Sequence, residues 1–284
     1  SLTLPASTFD DVSVGDTLPY TATLSDGSAL PSWLSFNTST RVFSGTPLNA
    51  NVGAISVKVT ASDGSLSASA TFTLTVANTN DDPTAITLSA TTFDENDSGA
   101  VVGTLSTTDV DVGDSHEYTL SGTDADAFEI VNNQLKLKAS VYADYETKNS
   151  YSVTVTSTDS GSATTSESFT VTVNDVNETP VLANAITDQS VDEDSALSFT
   201  VPASTFDDVD VGDTLTYTAT LSDGSALPSW LSFNTSTRVF SGTPLNANVG
   251  AISVKVTASD GSLSASDTFT LTVANTNDDP TAIT

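Results

Sequence analysis

Apolar and polar residues alternate with a period of two over several short runs of the chain. The clearest runs are AISVKVTAS (54–62), TFTLTVAN (71–78), SYSVTVTST (150–158) and SFTVTVN (168–174). This alternation predicts half-buried β-strands, and no segment has the periodicity of a helix. Turns at Asp63-Gly64 and Asp260-Gly261 predict tight hairpins between the long strands. About seven short strands per hundred residues are typical of a Greek-key β-sandwich.

An internal duplication organises the chain. Residues 1–87 recur as 198–284, and the copies differ at five positions: Leu2/Phe199, Leu4/Val201, Ser13/Asp210, Pro19/Thr216 and Ala70/Asp267. A different unit separates the copies, but VANTNDDP (76–83), VNDVNETP (173–180) and VANTNDDP (273–280) end all three units in the same way. We therefore expect three tandem seven-stranded sandwiches arranged end to end, at 1–82, 83–179 and 180–279. The first would lack its opening strand, and residues 280–284 would begin a further repeat.

The net charge of the chain limits the kinds of molecule that it can bind. Seven Lys and Arg residues against 36 Asp and Glu residues give a net charge of −29. Such a chain repels nucleic acid and anionic membranes and attracts cations, so we expect no nucleic-acid partner. The absence of cysteine excludes a disulfide framework, a thiolate zinc site and a cysteine nucleophile.

Carboxylates and amides recur at every predicted repeat edge. Calcium takes six to eight oxygen ligands, so a site needs several of these groups to converge. A single Asp in a loop is more typical of a solvated turn, but the recurrence favours calcium. DVDVGDSHE (109–117) departs from an EF-hand loop because Gly113 precedes Asp114 and strands flank it. The candidate ligands are Asn78, Asn80, Asp81, Glu95, Asp109, Asp111, Asp144, Glu146, Asp159, Asp175, Asn177, Glu178, Asp208, Asp210, Asp260, Glu193, Asn275, Asn277 and Asp278.

Residues 83–180 resemble a cadherin repeat. The motifs Glu95 in DEN, Asp109-Val-Asp111, Asp144-Tyr-Glu146, Asp159 and DVNETP (175–180) follow the cadherin order. The flanking copies resemble dystroglycan-type cadherin-like domains through FDDVDVGDTLTYTATLSDGSALPSWLSFNTSTRVFSGTP (206–244).

The resemblance implies that calcium binds at the joints between repeats. At the second joint it implies the ligands Glu95, Asp144, Glu146, Asp175, Asn177, Glu178, Asp208, Asp210 and Asp260. The first joint would use its linker with Asp109, Asp111 and Asp159, while Glu193 would serve the joint after residue 277. At the first joint PLNANVG (47–53) stands where the cadherin pattern has Asp-x-Glu, so we expect weaker binding or fewer ions there.

The favoured function is a calcium-stiffened extracellular array, as in large bacterial surface adhesins. Its partners would be calcium, neighbouring repeats and a like molecule or a surface glycan. The alternative is a calcium-dependent carbohydrate-binding module that uses Tyr142, Tyr145 or His116, whereas Trp33 and Trp230 are expected in the cores. Hydrolysis by paired carboxylates is disfavoured because every acidic pair lies in a repeated turn or joint, so we expect no enzyme.

Overall fold

The computed structural model describes residues 1–10 and 18–277, and it confirms the all-β sandwich fold. The strands before the second linker are β1 Leu2–Thr3, β2 Tyr20–Leu24, β3 Leu34–Asn37, β4 Val42–Gly45, β5 Gly53–Ser62, β6 Ser67–Val76, β7 Ala85–Leu88, β8 Thr92–Asp94, β9 Val101–Thr108, β10 Glu117–Ser121, β11 Phe128–Val131, β12 Gln134–Leu137, β13 Ser150–Thr158 and β14 Thr164–Asn174. The remaining described strands are β15 Val181–Leu182, β16 Gln189–Asp192, β17 Leu197–Thr200, β18 Phe206–Asp207, β19 Thr216–Leu221, β20 Leu231–Asn234, β21 Val239–Gly242, β22 Gly250–Ser259 and β23 Ser264–Ala274.

Helical structure in the described ranges is confined to single 3-10 turns of three residues. They lie at Ala6–Thr8, Asn49–Asn51, Ala125–Ala127 and Asn246–Asn248. Among the residues that the structure describes, no helix has the length and apolar character needed to span a bilayer.

The strands pair within three consecutive segments. In the first, the sheet orders are β1-β4-β3 and β2-β5-β6; in the middle segment they are β10-β13-β14-β8 and β11-β12-β9-β7. In the last segment they are β15-β18, β16-β23-β22-β19 and β17-β21-β20. The middle and last segments thus exceed the expected seven strands because short strands such as β8, β15 and β18 are included. By internal contacts the chain divides into two compact units: residues 1–91, 101–136 and 152–170, and residues 92–100, 137–151 and 171–284. The domain boundaries expected from the sequence remain a prediction.

The long hairpins carry the cores, as the alternation predicts. β5 pairs antiparallel with β6 over all ten residues, and Val57, Val59 and Ala61 point into the core. At the turn, Gly64 has a positive φ of 97°, and the Asp63 carboxylate accepts two backbone N–H groups.

Both tryptophans pack half-buried against these cores, as the sequence predicts. A Cβ at Gly45 would lie 1.9 Å from the Trp33 carbonyl oxygen, and Gly242 stands in the same relation to Trp230. Glycine is therefore required where the two backbones approach each other.

The segment before the last copy completes its core. β16 pairs in parallel with β23, and Ile186 is buried among the core residues. The Ile186 N–H donates to Asp267 Oδ2 at 2.7 Å. Phe269 and Leu271 are consequently 3% and 1% exposed, while their counterparts Phe72 and Leu74 are only half-buried. The burial of the last copy thus depends on residues outside the duplicated sequence.

Replacing Ile186 with Ala should lower the free energy of unfolding of the last copy by about 2 to 5 kcal/mol, because it leaves a cavity between the segment and the core. The measurement is urea unfolding of the chain in a Trp33→Phe background, followed by the fluorescence of Trp230. Thr187→Ala, at an exposed neighbour, is the control and should change stability by less than about 0.5 kcal/mol. An unchanged unfolding midpoint for Ile186→Ala would contradict this role of the segment.

Candidate metal centres

Three acidic side chains converge at the first joint, which comprises the linker 76–83 and the loops around Asp109, Asp111, Asp114 and Asp159. Oxygens of Asp109, Asp114 and Asp159 lie within 4.8 Å of one another. Asp111 and Asp159 are buried. The residues Asn78, Asn80, Asp111, Val112, Gly113, Asp114 and Ser160 line an adjoining cavity of about 190 Å³. The joint therefore places oxygen ligands around a small solvent-connected space.

The linker of the first joint is fixed by side chains of the loops. The Asp81 backbone N–H donates to Asp111 Oδ2 at 2.8 Å, and Asn80 Nδ2 donates to Asp159 Oδ2 at 2.9 Å. A Cβ at Gly161 would lie 2.2 Å from Asn80 Cγ, so only glycine leaves room for this amide. These contacts hold the linker against the acidic loops.

Hydrogen bonds stabilise the ionised carboxylates of the first joint. The Asp111 backbone N–H and then His116, whose Nε2 lies 3.1 Å from Asp109 Oδ2, hold the pKa of Asp109 below its ordinary value. A hydrogen bond with Ser160 has the same effect on the pKa of Asp114. Because both carboxylates favour the ionised form, both are suited to bind a cation at neutral pH.

The second joint contains two acidic groups. It comprises the linker 173–180, the loops around Glu95 and Glu146, and the loops around Asp208, Asp210, Asp213 and Asp260. Oxygens within 4.8 Å of one another form one group from Glu95, Glu146, Asp175 and Glu178, and another from Asp208, Asp213 and Asp260. The second joint thus brings together more carboxylates than the first.

Glu95 is the buried anchor of the second joint. Its side chain is 3% exposed and accepts the backbone N–H groups of Tyr145 at 2.7 Å and Val176 at 2.9 Å. One carboxylate therefore orients both the loop that carries Glu146 and the linker that carries Asp175. The two hydrogen bonds to Glu95 thus hold candidate ligands from distant parts of the sequence close together.

The linker acid Glu178 lies in an electrostatically unfavourable position. Its backbone N–H donates to Asp210 Oδ2 at 2.8 Å, and its side chain accepts a hydrogen bond from Asn96. Burial and the neighbouring Asp210 and Glu95 raise the pKa of Glu178 to about 7. Burial, with neighbouring carboxylates, also raises the pKa values of Glu146, Asp175 and Asp208. Without a cation, this joint therefore resists full ionisation.

Several buried carboxylate oxygens at the joints have no hydrogen-bond partner. They are Asp114 Oδ2 at the first joint, and Glu146 Oε1, Glu178 Oε2, Asp208 Oδ2 and Asp210 Oδ1 at the second. A buried acceptor without a partner is costly, and a hard divalent cation satisfies several such oxygens at once. The donor set is all oxygen, which fits calcium.

Most of the candidate ligands lie at the two joints, but Asp144 lies outside the acidic groups. Its Oδ1 accepts the Thr147 N–H at 2.9 Å, as in a turn. Asn177 contacts the acidic group of Asp208, Asp213 and Asp260 through a 3.1 Å hydrogen bond from its Nδ2 to Asp260 Oδ2.

Sequence reasoning did not include Asp114 and Asp213 among the ligands. The signal was present, because both acids follow Asp-x-Asp by three residues in the same sequence, DVDVGD.

A third set lies at the end of the described chain. Glu193 is 1% exposed, its Oε1 accepts the Thr276 N–H at 2.7 Å, and its Oε2 has no hydrogen-bond partner. Asn275 donates from its side chain to the Thr276 carbonyl. The candidate Asn277 ends the described range, and Asp278 lies outside the described residues. Glu193 is thus placed as Glu95 is, against the linker that follows its repeat.

Two family models match the chain. The model described as Putative Ig domain matches residues 1–77 and 179–274, and the Cadherin domain model matches residues 89–174. The chain is therefore a tandem of Ig-like and cadherin-like repeats. The dystroglycan type and the bacterial source of the flanking repeats remain predictions. No curated protein matches the chain.

Solved structures of cadherin repeats share the fold. The protocadherin gammaB7 EC3-6 cis-dimer structure is 26% identical, with a TM-score of 0.53, and the match covers 93% of this chain and 67% of that one. Protocadherin Gamma B2 domains 1–5 are 20% identical, with a TM-score of 0.55, over 92% of this chain and 53% of that one. Protocadherin Gamma B7 domains 1–4 are 20% identical, with a TM-score of 0.60, and the match covers 93% of this chain and 68% of that one. The chain thus spans between about half and two thirds of the length of these proteins.

These matches agree with the all-β sheets of the described residues. The Putative Ig domain model covers both duplicated copies, which together make up more than half of the sequence. The chain therefore belongs to this Ig domain family, with a cadherin-like repeat between its two Ig-like copies.

Proposed function

We propose that this chain is a calcium-binding module of an extracellular adhesion array, in which ions at the joints stiffen successive repeats. The observation that carries the proposal is the set of buried carboxylate oxygens without partners at the second joint. The pKa values of Glu178 and Asp175 are raised there by burial and by the neighbouring carboxylates, both of which a bound cation would offset. The Cadherin domain match and the protocadherin structures support an adhesion role.

Each acidic group at the joints would bind one calcium ion. Glu95, Glu146, Asp175 and Glu178 would hold one ion, and Asp208, Asp213 and Asp260 another. Asp109, Asp114 and Asp159 would hold an ion at the first joint. Each bound ion would neutralise repulsion among its carboxylates and link the linker to the loops, which restricts the joint.

A carbohydrate-binding module is the alternative function, and the exposure of Tyr142 favours it. The Tyr142 side chain is 74% exposed, as a stacking platform must be. His116, by contrast, is engaged with Asp109, and the Tyr145 backbone is bound to Glu95. Calcium-dependent glycan binding that is lost in Tyr142→Ala would favour this alternative over a purely structural array.

Removal of calcium should loosen the chain without unfolding its sandwiches, since each core is built from apolar residues away from the joints. At a hundredfold excess over its dissociation constant, an ion that binds only the folded state stabilises it by about 2.7 kcal/mol. Small-angle scattering and thermal unfolding, with calcium and after chelation, measure both effects. Magnesium is the control, because its smaller octahedral shell suits these sites less well. An unchanged radius of gyration and melting temperature would mean that the acidic groups are ordinary solvated turns.

Substitution of one ligand at each joint should separate the two sites. Asp175→Ala should weaken calcium binding at the second joint, and Asp159→Ala at the first, because the two residues belong to different acidic groups. Calorimetric titration of the whole chain would show the loss of a different class of site in each variant. Asp188→Ala, an exposed acid outside all three groups, is the control for lost charge. If both variants lost the same class of site, the assignment of ligands to separate joints would be wrong.

Without calcium, the chain should become less stable as the pH rises from about 5 to about 8. The folded-state pKa of Glu178, about 7, exceeds the ordinary value of 4.5, so the folded state binds more protons than the unfolded state over this interval. The contribution of Glu178 to stability is therefore fully present below its unfolded pKa and is lost as the pH rises through the folded one. Urea unfolding across this interval after chelation measures the slope.

Glu178→Gln should flatten that slope, because the amide does not titrate. Saturating calcium should flatten it as well, since ion binding favours the deprotonated carboxylate. Unfolding midpoints that are independent of pH in the chelated wild-type chain would contradict the placement of Glu178 among like charges.

A further inference from the structure

Each joint contains an equivalent hydrogen bond from the backbone of its linker to an aspartate. The linker acid Asp81 donates its N–H to Asp111 Oδ2 at 2.8 Å, and Glu178 donates its N–H to Asp210 Oδ2 at the same distance. Asp111 and Asp210 are both at least nine-tenths buried. The two joints can therefore be compared atom by atom around this aspartate.

The other oxygen of that aspartate has a different environment in each joint. Asp210 Oδ1 is buried and has no hydrogen-bond partner. Asp111 Oδ1 instead lies 3.4 Å from Asn49 Nδ2, and the same amide nitrogen lies 2.6 Å from Asp81 Oδ2. Asn49 thus bridges the two carboxylates of the first joint that correspond to Glu178 and Asp210.

The chemistry of the bridging group explains the difference. Ionised carboxylates only accept hydrogen bonds, and an amide nitrogen supplies two donors. At the second joint, Glu178 lies with Glu95, Glu146 and Asp175, so acceptors surround the linker acid there, whereas the first joint has a donor beside its linker acid. Asn49 therefore satisfies without metal the oxygens that, at the second joint, lack any partner.

We infer that Asn49 sets the number of ions at the first joint, because its amide occupies the place that an ion takes at the second. The inference rests on the proposed calcium function. The first joint then holds one ion, at Asp109, Asp114 and Asp159, and the contact between Asp81 and Asp111 persists without calcium.

The test is to count calcium ions on the whole chain by native mass spectrometry, with calorimetry for affinity. Asn49→Asp should bind one more ion than the wild type, because three carboxylates, at 49, 81 and 111, would then face one another without a donor. After chelation the same variant should melt at a lower temperature than the wild type, and calcium should raise its melting temperature more.

Asn51→Asp is the matched control. It adds the same charge in the same turn, but Asn51 Oδ1 accepts the Leu48 N–H, and a carboxylate retains that bond. This control should bind the wild-type number of ions. Glu146→Gln, which removes one carboxylate from the acidic group around Glu178, should lose one ion at the second joint.

The outcomes separate the two proposals. If the wild type binds calcium but folded Asn49→Asp gains no ion, or if Asn51→Asp gains one equally, the role of Asn49 is wrong while the calcium function stands. If Asn49→Asp does not fold, Asn49→Ala decides, because it removes the amide donor without adding charge: a melting temperature after chelation equal to that of the wild type overturns the inference. If the wild type binds no calcium, the proposed function fails first.

Discussion

The organisation of each joint depends on one hydrogen bond, from the backbone of a linker acid to the second aspartate of an Asp-x-Asp loop. It is 2.8 Å long at both joints, and the accepting aspartate is buried each time. This bond occupies one oxygen of the carboxylate. The groups around the other oxygen therefore determine whether the carboxylate is fully hydrogen-bonded by protein atoms. With an amide beside it, the carboxylate is satisfied by protein atoms; with further carboxylates beside it, the joint accumulates negative charge that protonation or a bound cation would relieve.

The fold could be predicted from the sequence because period-two alternation depends only on local pattern. β13 spans the residues 150–158 that the pattern indicates, and β5 and β6 agree within a few residues at their ends. The short strands β8 and β15 could not be predicted, since two or three residues carry no periodicity. Their positions depend on pairing with distant strands, such as the parallel pairing of β8 with β14.

The candidate site could be predicted as far as motifs recur, and not where geometry decides. Most of the recurrent acids lie close together at the two joints; Asp144, whose Oδ1 accepts the Thr147 N–H, lies outside the acidic groups, and its role as a ligand remains a prediction. Asn49 looked from the sequence like a missing ligand, whereas the structure places its amide between two carboxylates. Such a contact links residues 32 and 62 positions apart, and no local pattern encodes it.

The second joint takes its acids from two successive segments, because Glu95 and Glu146 precede the linker while Asp208, Asp213 and Asp260 follow it. Among the described residues, the acids of the first joint come from its linker and the middle segment alone, and the preceding segment contributes the Asn49 amide instead. The last copy is nearly identical to the first, yet its Asp208, Asp213 and Asp260 meet a linker that follows a cadherin-like repeat. Under the proposed function, exchanging the middle segment would therefore change the ligands available at both joints without a substitution in either flanking copy. On that proposal, the order of the segments along the chain itself determines which joints bind ions and are thereby stiffened.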